Sequence, residues 1–146
     1  MKLLQLASNR SFWSGIDYYH DKNVVRYKKT SDIEYVGEVR GSKNNVYHVS
    51  INVRNPKKST YSCPFAEGRR VICKHMVALY LDAFPEKEQE MMDYIEEQNQ
   101  LYELEVKKEK MQREQEIRQY VMSLPKAKLQ EMLIEMLLYD GDRGYY

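Results

Sequence analysis

The sequence predicts an α+β fold: a small antiparallel sheet with a hairpin and a packing helix, followed by a helical extension. Three observations predict it. Residues 12–53 alternate apolar and polar in the manner of strands. Residues 73–84 are apolar at helical spacing, and the segment from Glu86 to about Met122 is polar and holds neither Gly nor Pro. The strand-rich front and the helical rear divide the chain into residues 1–84 and 85–146.

In the front part, Tyr18-Tyr19 and Val24-Val25-Arg26-Tyr27 are short β-prone runs separated by Asp21-Lys22-Asn23. Ile33, Tyr35 and Val39 continue the pattern, and Gly41 to Asn45 reads as a turn. The clearest strand is Val46 to Val53. Tyr47, Val49, Ile51 and Val53 share one face there, and His48, Ser50 and Asn52 share the other. Asn55-Pro56-Lys57-Lys58 is a turn with proline in its second position, and Ser59 to Cys63 is the returning strand. Pro64 to Gly68 is a loop. The helix over 73–84 brings Val77 and Leu81 to the sheet, so the expected core includes Tyr47, Val49, Ile51, Val77 and Leu81.

Pro85 ends or bends that helix. Glu86, Glu88 and Glu90 give the next one an acidic start. Unbroken to Met122, it would reach roughly 55 Å. Its heptad seam places Tyr94, Leu101, Lys108, Gln115 and Met122 at a, and Glu97, Leu104, Met111 and Arg118 at d. Five of these nine are apolar, too few for a stable coiled coil. The last helix carries one stripe, Leu129, Met132, Leu133, Met136 and Leu137, with Ser123 as its cap, Pro125 in its first turn and Gly141 at its close. The tail from Asp142 onward reads as loose.

Composition narrows the function classes. The 146 residues are 42% hydrophobic and 31% charged, and a mean hydropathy of −0.74 excludes a membrane span. The apolar start, Met1 to Ala7, is too short for a signal-peptide core, so an intracellular, cytoplasmic protein is expected. The net charge of +1 conceals an asymmetry. Residues 1–82 carry 14 Lys and Arg against 7 Asp and Glu, a net of +7; residues 83–146 carry 9 against 15, a net of −6. A basic front admits an anionic partner; it is equally what two differently solvated faces produce. No Gly-rich phosphate loop, nucleophile elbow or pair of carboxylates on one short element is present, and no enzymatic role is expected.

The one specific constellation is Cys63, followed after nine residues by Cys73-Lys74-His75 and a helix. Thiolates and imidazoles are the ligands of tetrahedral zinc. In a reducing compartment two cysteines are more often metal-bound or reduced than bridged. Spacing alone fits equally well two small buried thiols and an imidazole capping a helix. Catalytic zinc would need a general base; Glu67, the only nearby acid, is followed by Arg69 and Arg70, so hydrolysis is not expected.

These residues resemble the SWIM-type zinc finger family, whose pattern is Cys-x-Cys, a variable loop, then Cys-x-His, with strands before and a helix after. Gly15-Ile16-Asp17-Tyr18-Tyr19, Val39-Arg40-Gly41-Ser42, Tyr47-His48-Val49-Ser50-Ile51, Cys63-Pro64 and Cys73-Lys74-His75-Met76-Val77-Ala78 follow in the order of bacterial members. The resemblance covers about residues 10–84, and residues 124–138 resemble the helical extension of some members. It implies zinc held by Cys63, Cys73 and His75. Tyr61 stands where the family has its first cysteine, and a neutral phenol is a poor zinc ligand. The fourth position is therefore open to water, to another residue or to nothing. If the hairpin pairs Asn52 with Tyr61 and Ser50 with Cys63, His48 shares the Cys63 face and is a candidate fourth ligand; a turn one residue longer or shorter removes it.

The resemblance also implies two roles. One is a non-enzymatic protein-interaction or assembly subunit; the small size and the lack of a catalytic set also permit a place in a larger ATPase, transposon or phage complex. The other is DNA or RNA binding by the basic front half. Lys57, Lys58, Arg69, Arg70 and Lys74 lie nearest the expected site, with Tyr47, Tyr61 and Phe65 as platforms for bases.

Overall fold

The computed structural model describes residues 1–62 and 71–142, with side chains through Tyr139. The protein is α+β, with a four-stranded antiparallel sheet and five helices. Two short helices precede the sheet: α1, Lys2–Leu6, and α2, Asn9–His20. The strands β1, Val24–Lys29, β2, Glu34–Arg40, β3, Val46–Asn52, and β4, Thr60–Tyr61, form a meander in that order. Three helices follow: α3, Lys74–Ala83, α4, Glu86–Ser123, and α5, Lys126–Asp142.

The strand reading fails over residues 12–20, which belong to α2. Ser8 caps this helix by accepting a hydrogen bond from the Ser11 backbone N–H. Phe12, Gly15 and Ile16 recur at helical spacing and are all buried. Tyr18 and Tyr19, β-prone by propensity, stay helical because tertiary packing overrides so weak a preference. Gly15 lies where α2 crosses α3. A Cβ there would overlap the Val77 side chain, so only glycine permits the approach.

The sheet is covered on one face. Val39, Val49 and Ile51 are fully buried with Val77, Leu79 and Leu81 of α3. Gly37 lets Leu79 reach the sheet, since a Cβ would stand 2.8 Å from its Cδ1. Tyr47 is half-buried at the margin of this core. The alternation read over β3 is therefore correct, and four of the five expected core residues are fully buried. The other face presents Arg26, Lys28, Glu38 and His48; Arg26 and Glu38 form a bidentate pair with contacts of 2.8 and 2.7 Å. The proline turn is present: Pro56–Lys58 forms a tight turn closed by Lys58 N–H donating to Asn55 O at 2.9 Å.

The compact first unit runs from Met1 to Glu96 and includes the first turns of α4. Met91 is buried, and Met92, Tyr94 and Ile95 pack against the core. The second unit begins at Glu97 and contains the rest of α4 and α5. Ser123 does not cap α5. It ends α4, where its hydroxyl donates to Tyr120 O at 2.7 Å. Gly141 does not close α5 either, since the helix continues through Asp142. The expected Pro64–Gly68 loop lies outside the described residues, as does the tail beyond Asp142.

Candidate metal centre

Cys73 is the N-cap residue of α3, extended at φ −91° and ψ 166°, and His75 sits in the first turn. An extended residue followed directly by a helix folds the two side chains back toward each other. The Cys73 Sγ stands 3.9 Å from His75 Nδ1. Two donors bound to one tetrahedral zinc, at about 2.3 Å for sulfur and 2.0–2.1 Å for nitrogen, are separated by about 3.5–3.8 Å. The pair is thus within a few tenths of an ångström of zinc-binding geometry. The helix N-terminus adds partial positive charge where a thiolate would stand.

The chain before Cys73 is anchored. Ile72 bridges to Ala7 in parallel, and Ile72 and Cys73 are both buried. His75 is 2% exposed. Tyr18 of α2 meets its ring edge-on at 5.4 Å, and Tyr47 of β3 lies tilted at 4.8 Å. Gly41 makes room for Tyr47, because a Cβ there would overlap the phenol ring. Burial, reinforced by the neighbouring Lys74 charge, lowers the imidazole from 6.5 to about 4. It is neutral at physiological pH, the form that ligates a metal.

His75 Nε2 is buried without a hydrogen-bond partner among the described residues. An unmade hydrogen bond on a buried polar atom costs about 1–3 kcal/mol. The described donors therefore fit a metal in one respect, the pairing of Cys73 Sγ with His75 Nδ1.

The third expected ligand, Cys63, lies outside the described residues. Among those described, no group of three or more His, Cys, Asp or Glu could hold a metal ion. His48 is not brought to the pair. The β3–β4 register joins Val49 to Tyr61 and Ser50 to Thr60, not Ser50 to Cys63. His48 N–H donates to Ser62 Oγ at 2.9 Å, and its side chain stands on the open face, 3.7 Å from Glu38. Tyr47, one residue earlier, points to the opposite face and packs on His75. The reason is local: Asn52 Oδ1 accepts from Asn55 N–H at 2.7 Å and Ser59 Oγ accepts from Asn52 N–H at 3.0 Å. Side chains close this hairpin and shift its ladder. Tyr61 is half-buried against the core.

The basic candidates divide. Lys57 and Lys58 are exposed on the Pro56–Lys58 turn. The Lys74 ammonium lies 4.3 Å from the centroid of the Tyr18 ring, a cation–π contact. Arg69, Arg70 and the platform residue Phe65 lie outside the described residues. Two neighbours of the centre were not foreseen in their roles, Tyr18 and Gly41. The signal for Tyr18 was its place three residues after Gly15 in a capped helical segment. Among the described residues no helix is long and apolar enough to cross a membrane. No protein-family model, curated protein or solved structure matches this chain.

Proposed function

We propose that this chain is a non-enzymatic interaction subunit whose first unit is held by a structural zinc ion. Cys73 and His75 are its ligands, with Cys63 as the third. The single observation that carries this reading is the 3.9 Å approach of Cys73 Sγ to His75 Nδ1. A neutral, buried imidazole beside a thiol at a helix start supplies two of the donor types that a zinc site uses. When bound, zinc supplies folding energy and ties the segment before α3 to the helix. The chain's own residues do the positioning. The Ala7–Ile72 bridge fixes the approach to Cys73, and Tyr18 and Tyr47 fix the ring plane of His75. The helical second unit, with its exposed apolar residues, is the partner-binding element of this reading.

Metal analysis of the purified full-length protein tests it. Stoichiometric zinc is expected, with loss of zinc and a lower melting temperature in Cys73→Ser and His75→Ala. His48→Ala is expected to keep both. Zinc near zero in the wild type, with melting indifferent to a chelator, overturns the reading.

A further inference from the structure

We propose that the open face of the sheet, opposite α3, binds a small phosphomonoester whose phosphate group lies between Lys28 and His48, above Val36. The inference stands apart from the zinc reading. Strand register builds the site. Arg26, Glu38 and His48 are direct cross-strand partners on β1, β2 and β3, and the His48 backbone N–H extends that row to the Ser62 hydroxyl at 2.9 Å. Two residues along each strand, Lys28, Val36, Ser50 and Thr60 form a second row across all four strands. Rows two residues apart share one face of a sheet. Val36, the single apolar residue of the two rows, stands between longer neighbours and forms a floor. Together with His48 it lines two adjoining clefts, one of about 350 Å³ toward β1 and one of about 260 Å³ toward β4. That is the size of a small-ligand site.

The groups left unused by the fold select the ligand. Arg26 and Glu38 neutralise each other as a bidentate pair. The Lys28 ammonium forms no ion pair among the described residues, so it is the uncompensated charge of the two rows. The Ser50 and Thr60 hydroxyls make no hydrogen bond among the described residues. His48 turns Nδ1 toward Glu38 at 3.7 Å, which leaves Nε2 for a ligand. An ammonium, an imidazole and two hydroxyls thus surround Val36, and the one carboxylate beside them is held by arginine. A tetrahedral anion with several acceptor oxygens satisfies this set more fully than a carboxylate with two. A single nucleic-acid strand fits less well, because it needs aromatic platforms for its bases and cations along its track. Tyr27 reaches Asp82 O at 3.4 Å, Tyr35 packs on Phe84, Tyr47 on His75 and Tyr61 against the core, so all four are turned to the α3 side. The lysine and arginine of the two rows are confined to β1.

Titration of the full-length protein with inorganic phosphate at fixed ionic strength, followed by amide NMR shifts, tests the proposal. Saturation at millimolar phosphate or below is expected, with the largest shifts at Lys28, Val36, His48 and Ser50. Lys28→Ala and His48→Ala each weaken binding by about tenfold, and Lys28→Arg retains it. Lys57→Ala, on the turn that joins β3 to β4, leaves it unchanged. Circular dichroism checks that each variant keeps its fold. A single-stranded oligonucleotide at the same phosphate concentration is expected to bind no better than inorganic phosphate. Phosphate that shifts these amides no more than chloride does overturns the proposal. So does binding indifferent to Lys28→Ala, or an oligonucleotide that displaces phosphate and is itself lost with Lys57→Ala.

Discussion

The two units use the same apolar residues in opposite ways. In Met1–Glu96, leucines, isoleucines and methionines are inside: Leu79, Leu81, Ile51 and Met76 are fully buried. In the unit from Glu97 onward, Leu101, Leu104, Met111, Leu133 and Leu137 are at least half exposed. The difference teaches where folding energy is spent. The first unit closes its core with its own sheet and helices. The second forms helices by local propensity and by side-chain pairs such as Arg118 with Glu114 at 2.8 Å, and leaves its apolar residues exposed.

The sharpest test of that contrast is a deletion in the closed core. Leu81→Ala removes a fully buried side chain of α3. Loss of transfer energy plus a cavity costs about 2–5 kcal/mol. Urea unfolding followed by the fluorescence of Trp13, the chain's single tryptophan and a residue of α2, measures it directly. A cost below about 0.5 kcal/mol, the ordinary range for surface positions, would mean that α3 does not pack as described.

Next in size is an effect of acid on the metal-free protein. His75 falls from 6.5 to about 4 on folding, first because it is buried and second because Lys74 is near. Its folded value is depressed, so the folded state favours the neutral ring. Stability is full above pH 6.5 and declines as pH falls from 6.5 toward 4, by at most about 3 kcal/mol. Chelated protein unfolded in urea at a series of pH values shows this loss. His75→Ala, already destabilised, is expected to lose the part of the slope that the imidazole supplies. An unchanged slope in that variant assigns the acid sensitivity elsewhere.

How legible each part was follows from the range of the forces that shape it. β3, α3 and α5 were readable because each carries its own period, Tyr47, Val49 and Ile51 at spacing two, and Leu129 through Leu137 at spacing three and four; α4 was readable because Glu86 to Met122 holds neither Gly nor Pro. α2 was not. Its Gly15 and paired tyrosines argue locally against a helix, and only the close crossing with Val77 explains the glycine. In the candidate site, the adjacency of Cys73 and His75 was written in two residues and a helix start. The face of His48 was not, because it depends on a register that Asn52 and Ser59 set through side-chain bonds. The enclosure of His75 by Tyr18 and Tyr47 brings together three elements distant in sequence, which no local pattern encodes.

The smallest expected effect completes the contrast between the units. Leu137→Ala deletes as many atoms as Leu81→Ala, but from a side chain that is 66% exposed. Little surface returns to water, and no cavity forms, because nothing encloses the site. The cost to unfolding of the first unit, followed by Trp13 in dilute protein, is expected to stay within about 0.5 kcal/mol. A large loss in dilute protein would place Leu137 inside a core of the single chain, and the division between a closed unit and an open one would fall. A small loss for Leu137→Ala beside a large one for Leu81→Ala shows that the same side chain is built into the core of the first unit and left outside any core in the second.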